Sequence, residues 1–197
     1  MKPEEKARKK IDELLEAAGW VIQDFEDLNL GASLGVIIRE FQMKTGPVDY
    51  LLFVNRKAVG VIEAKAEGTT LTGVDTQSDK YISGMPEEIP HIEPLPFAYE
   101  SIGTETLFRD LRDPDYRSRN VFAFHKPETL VEWAKQEETL RCRLRKMPFI
   151  IEEGLRTCQS DAIINLEQSF ANSRQKSLVQ MATGSGKTFA AVTSIYI

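Results

Sequence analysis

Two apolar runs joined by three polar residues constrain this chain more than any other feature. Val48–Val54 (VDYLLFV) and Ala58–Lys65 (AVGVIEAK) flank Asn55-Arg56-Lys57. Short runs rich in β-branched and aromatic residues read as strands. The polar tripeptide between them reads as a tight turn, so the pair predicts a β-hairpin. The chain has 197 residues, 42% hydrophobic and 28% charged, enough to bury a sizeable core.

The rest of the chain can be read around that hairpin. Lys2–Ala18 carries Ala7, Ile11, Leu14, Leu15 and Ala18 on one stripe, which predicts an amphipathic helix stopped by Gly19. Gly35–Phe41 predicts a strand. Asp75–Met85 predicts a helix broken by Pro86, and Pro86–Pro96 a proline-rich connector. Phe97–Phe108 predicts one strand. Pro127 suits a first helical turn, and that helix is expected to pass Trp133 and run on towards Arg145. The texture changes after Pro148. Leu155–Phe170 predicts a second amphipathic helix and Ser177–Met181 a short buried strand. Ala182–Lys187 predicts a glycine-rich turn that opens another helix. A domain boundary is expected near Met147, separating residues 1–147 from 148–197.

Charge and cysteine usage exclude several classes. A net charge of -5 argues against bulk affinity for nucleic acid, but not against a local basic track. Arg109, Arg112, Arg117 and Arg119 form one candidate, and Arg141, Arg143, Arg145 and Lys146 a denser one. The alternative for each is a solvated surface laced with ion pairs. No apolar run approaches the ~18 residues of a membrane span, and Met1–Lys10 does not have the pattern of a secretory signal. Cys142 and Cys158, without CxxC spacing, speak against a disulfide scaffold and against structural zinc. A reducing cytoplasm is the expected setting.

The first chemical constellation lies on the hairpin. Side chains alternate across a strand, so Glu63 and Lys65 share a face, and Asp49 on the preceding strand can be brought beside them. Two adjacent carboxylates coexist when a cation sits between them. Mg²⁺ suits an all-oxygen site of that kind, and a lysine beside it can stabilise charge developing on a phosphate. The residues therefore suit phosphodiester hydrolysis. Pro47-Val48-Asp49 followed by Glu63-Ala64-Lys65 resembles the motif of the PD-(D/E)xK nucleases, with the proline one residue further from the aspartate than in the strict form. Gln77-Ser78-Asp79-Lys80-Tyr81 resembles the Q-x-x-x-Y motif of some branches of that superfamily. The resemblance implies Mg²⁺ or Mn²⁺ on Asp49 and Glu63 with the Ala64 carbonyl as a further ligand. It also implies that Gln77 and Tyr81 contact DNA near the cut.

The second constellation is Met181-Ala182-Thr183-Gly184-Ser185-Gly186-Lys187-Thr188, after a predicted strand and at the start of a predicted helix. That is the context of a P-loop. Backbone N–H groups from Thr183, Gly184, Ser185 and Gly186 would wrap a phosphate at the helix N-terminus. Lys187 would reach the β- and γ-phosphates, and Thr188 would hold Mg²⁺. Met181 stands where the strict pattern has glycine, as in helicase motif I, which the segment resembles. Leu155-Arg156-Thr157-Cys158-Gln159 resembles the adenine-reading segment of superfamily 2 helicases, with Gln159 on the adenine edge.

A PD-(D/E)xK nuclease followed by a superfamily 2 motor resembles the restriction (R) subunit of type I restriction enzymes. Phe97–Thr106 and Phe122–Leu130 also resemble that family's sequence. The resemblance implies an α/β fold: a restriction-endonuclease-like mixed sheet with the Asp49–Lys65 hairpin at its centre and helices around it, followed by an incomplete RecA-like segment that stops after the P-loop. It implies ATP-driven movement of double-stranded DNA by the whole subunit, with methylation and specificity subunits as partners. No D-E-x-H box follows the P-loop, so ATP hydrolysis by the 197 residues alone is not expected. The motor segment is expected to pack on the nuclease domain or to pair with a second copy. The alternatives from other classes are a DNA-binding or coupling module that does not cleave, and a fragment of a repair helicase.

Overall fold

A computed structural model describes residues 3–71, 84–148, 150–151, 153–174 and 176–196. The chain divides into two compact units, Met1–Arg112 with Tyr116–Glu137, and Asp113–Asp115 with Glu138–Ile197.

The first unit is built on a mixed sheet of seven strands in sequence order. They are β1 (Val21–Gln23), β2 (Gly35–Met43), β3 (Gly46–Val54), β4 (Lys57–Ala64), β5 (Phe97–Ser101), β6 (Thr106–Asp110) and β7 (Arg119–Val121). The β1–β2 and β4–β5 pairs are parallel and the others antiparallel. The predicted hairpin is β3–β4, and it occupies the middle of the sheet with Asn55 and Arg56 at its turn, both at positive φ.

Alternation along these strands sorts apolar side chains onto two faces. On one, Tyr50, Leu52, Ile62, Tyr99 and Phe108 pack under helix α1 (Pro3–Ala17) and helix α2 (Pro127–Lys135). α1 contributes Ile11 and Leu15, both fully buried. On the other, Leu51, Phe53, Val61 and Ala98 form a second cluster with Met85 and Leu95. Each such large side chain contributes about 1.5–3 kcal/mol by leaving water. A Cβ on Gly60 would stand 2.4 Å from the Phe97 carbonyl oxygen, so only glycine admits β5 this close to β4.

Three expectations are corrected. Phe97–Phe108 is two strands, β5 and β6, because Ile102–Glu105 turns and Ile102 N donates to Glu105 O at 3.1 Å. The helix from Pro127 ends at Lys135. A separate short helix, α3 (Leu140–Leu144), starts where the Thr139 hydroxyl caps Cys142 N at 3.2 Å. Ser177–Met181 forms no ladder, and Leu178 is 92% exposed. A P-loop strand is stable between parallel neighbours, and none pairs with it among the described residues. In the second unit, α4 (Thr157–Ala171) and α5 (Lys187–Tyr196) lie near their expected positions. Most of the helix expected over Asp75–Met85 falls outside the described residues.

Candidate functional site

The hairpin brings the three predicted hairpin residues to one place. Asp49 Oδ2 accepts a hydrogen bond from Ala64 N at 2.8 Å, so its carboxylate lies against the backbone between Glu63 and Lys65. Lys65 Nζ stands 2.7 Å from Glu63 Oε2, the ion pair that same-face alternation predicts. The Glu63 side chain is 6% exposed and that of Lys65 25%. Lys65 N donates to Ser101 O at 2.8 Å, which fixes the strand end that carries it. Among the described residues, Glu63 Oε2 accepts no hydrogen bond of good geometry, so the Lys65 ammonium offsets its buried charge. Gln77 and Tyr81 lie outside the described residues.

Four charged residues complete the site, and sequence reading assigned none of them to it. Arg8 on α1 reaches both Glu40, at 2.6 Å, and Asp49 Oδ1. Burial works against its charge, but the hydrogen bond to Glu40 and the fields of Asp49 and Glu40 prevail and raise its pKa. Glu100 on β5 is the in-register partner of Glu63, and Arg109 Nη2 lies 3.5 Å from its Oε1. Arg109 also donates to Ser118 Oγ at 2.9 Å. Glu100 and Arg109 each interrupt an apolar strand run. That interruption is a signal the sequence carries, because buried charges need a reason.

The basic tracks resolve into ion pairs and ring contacts. Arg109 is buried, Arg112 holds Asp110 at 2.7 Å and lies over the Phe97 ring, and Arg119 covers the Phe108 ring. Arg141 pairs with Asp113 at 3.2 Å, Arg145 with Asp115 and Lys146 with Glu138. The solvated, paired surface is the reading that holds for most of these residues.

In the second unit, α4 brings Gln159 to the glycine-rich turn at Ala182–Lys187. Its Oε1 accepts Arg156 N at 2.9 Å, and its Nε2 donates to Ser185 O at 2.9 Å and Gly186 O at 3.3 Å. Arg156 donates to Gly184 O at 3.2 Å. Lys187 Nζ rests on the Ala182 and Met181 carbonyls at 3.0 and 3.2 Å, bracing the turn. Thr183 and Thr188 are exposed. Gln159 is thus joined to the loop residues, with its amide engaged by loop carbonyls.

Comparisons with known proteins agree with both halves. Residues 34–107 match the family model described as the second domain of the type I restriction enzyme EcoKI endonuclease subunit. Residues 152–197 match that of the type III restriction enzyme res subunit. The chain is 26% identical over 246 aligned residues to the type I restriction enzyme EcoKI endonuclease subunit of Escherichia coli (strain K12), covering 98% of this chain and 21% of that protein. It resembles the solved fragment of an HsdR subunit of a type I restriction enzyme from Vibrio vulnificus YJ016. That match has a TM-score of 0.50 and 24% identity, over 98% of this chain and 37% of that one. These matches support a relationship to the R subunit of type I restriction enzymes, and the chain spans about a fifth of the length of the curated relative it matches. The fold is the restriction-endonuclease-like α/β arrangement that the motif implies. No helix among the described residues is long and apolar enough to cross a membrane.

Proposed function

We propose that Asp49, Glu63 and Lys65 form the centre that hydrolyses a phosphodiester of double-stranded DNA in a type I restriction enzyme. The observation that carries this reading is the Asp49 carboxylate seated on the Ala64 amide, beside the Glu63–Lys65 pair. The donor set fits a hard divalent cation. Asp49, Glu63 and the Ala64 carbonyl offer only oxygen, and Glu63 Oε2 is buried beside the Lys65 ammonium. Mg²⁺ or Mn²⁺, when bound, supplies Lewis acidity and a water of lowered pKa.

The chain's own residues do the rest. Asp49 and Glu63 concentrate negative charge at a buried strand end and so select a cation. Lys65 balances that charge and stands ready to stabilise the extra charge of a phosphoryl transition state. The P-loop and Gln159 are the start of an ATP site whose work, in the whole subunit, is moving DNA past the nuclease. Methylation and specificity subunits are the partners this reading implies.

A docking module that does not cleave has no need of a lysine paired with the buried Glu63 next to a held aspartate. The test is a reconstituted restriction complex carrying Asp49→Asn or Lys65→Ala. Cleavage should be lost while ATP-driven movement on DNA continues. Wild-type cutting by either variant would refute the assignment.

A further inference from the structure

We infer that Arg8 is the resident counter-ion of the nuclease centre, a positioning residue that holds Asp49 and yields it when a divalent cation binds. The inference rests on the reading of Asp49 and Glu63 as ligands.

α1 buries Ala7, Ile11 and Leu15 against the sheet, and Arg8 emerges one step from that stripe. Asp12, four residues on and therefore on the same edge of the helix, accepts hydrogen bonds from the Tyr50 hydroxyl at 2.8 Å and Arg39 at 2.8 Å. The helix edge that presents Arg8 is thus tied to the sheet.

The guanidinium forks between two carboxylates, with Nη1 on Glu40 and Nη2 on Asp49. Glu40 on β2 and Asp49 on β3 lie between the register pairs Arg39–Tyr50 and Phe41–Val48, so they face each other across the ladder. Like charges directly opposite are destabilising. Glu40 also sits at φ +49°, a left-handed conformation that is costly for a glutamate. A cation between opposed carboxylates is what a bound metal would supply, and here a protein group supplies it.

Both Asp49 oxygens are engaged, Oδ2 by the Ala64 amide and Oδ1 by Arg8. A cation ligated at Asp49 therefore meets a guanidinium on the same carboxylate, and like charges repel. Binding has to displace the Arg8–Asp49 contact. Glu40 gives Arg8 a second anchor, so the exchange leaves no stranded charge.

The experiment is calorimetric titration of the 197-residue chain with Mn²⁺. Arg8→Met keeps the aliphatic stem and its packing. It should bind Mn²⁺ roughly fivefold more tightly than wild type, the scale of a half-exposed charge pair. Arg8→Lys should fall between the two. Unchanged or weaker binding by an Arg8→Met protein with a native circular dichroism spectrum would overturn the inference. Asp49→Asn separates the two failures. If it binds Mn²⁺ as wild type does, or if neither wild type nor Arg8→Met takes up the ion, the metal reading itself fails. If it loses binding while Arg8→Met gains none, only the role of Arg8 fails.

Discussion

Glu63 on β4 and Glu100 on β5 are in-register partners across a parallel pair of strands, 5% and 4% exposed. Two buried carboxylates side by side would repel, and each has a cation beside it. Lys65 serves Glu63 at 2.7 Å, and Arg109, 3% exposed, serves Glu100 at 3.5 Å. Lys65 sits at a strand end and is partly exposed, whereas Arg109 is enclosed by the sheet.

That difference predicts different costs. Removing one partner of a buried ion pair leaves an uncompensated charge and costs about 3–5 kcal/mol. Arg109→Ala should therefore lower unfolding stability by about that amount in urea titrations. Replacing both members, Glu100→Leu with Arg109→Met, should cost clearly less than the single change. Additive losses would mean that the two side chains do not act as a pair. Lys65→Ala should be milder for stability because water reaches its ammonium.

His125 makes the stability of the first unit depend on pH. Its ring packs edge-on to Phe108 and tilted against Trp133, its Nδ1 meets the Tyr99 hydroxyl at 2.6 Å, and its carbonyl accepts Trp20 Nε1 at 2.9 Å. Burial, and then the charge of Arg119, lower its pKa from 6.5 to about 4. The folded protein therefore binds this proton less readily than the unfolded chain. Stability from neutral His125 is fully present above pH 6.5 and is lost as pH falls towards about 4. The loss should be about 1–3 kcal/mol after allowance for partial exposure. Thermal melts from pH 7.5 down to 4 should show it, and His125→Phe should flatten that part of the profile. A wild-type profile flat below pH 6.5 would contradict the assignment.

The hairpin and the Asp49, Glu63 and Lys65 cluster were legible in the sequence because they follow from local rules. Period-two alternation put Glu63 and Lys65 on one face, and the turn brought Asp49 across. The helices at Thr157–Ala171 and Lys187–Tyr196 were legible as well, since they too follow from local pattern. Arg8 and Glu40 were not, because their meeting with Asp49 depends on how α1 lies on the sheet, a packing relation over 41 residues of chain. Ser177–Met181 went wrong in the opposite sense. Its apolar residues carry strand propensity, but a strand needs partners, and propensity does not supply them.

The basic segment on α3 gives a prediction about DNA. Arg141 and Arg145 are held by Asp113 and Asp115, so much of their field is cancelled locally. Triple replacement of Arg141, Arg143 and Arg145 by alanine should leave DNA affinity within about twofold. The slope of log affinity against log salt should stay nearly unchanged, since each lost phosphate contact would change it by about 0.9. A slope that falls by two or more contacts' worth would show that these arginines leave their carboxylates for DNA.

Gly186 and Gln159 give the test of the loop. Gly186 has φ +82°, and a Cβ there would stand 2.3 Å from Gln159 Nε2. The same nitrogen donates to Ser185 O and Gly186 O and helps set the curve of the loop. Gly186→Ala therefore carries two penalties, a strained backbone of about 1–3 kcal/mol and displacement of the Gln159 amide. Only the second can be relieved elsewhere. Gln159→Ala in the Gly186→Ala background should recover part of the lost stability, although Gln159→Ala alone should destabilise by leaving loop carbonyls without their donor. Paired chemical denaturation of the four proteins measures that coupling. Strictly additive effects would show that Gln159 does not hold the loop.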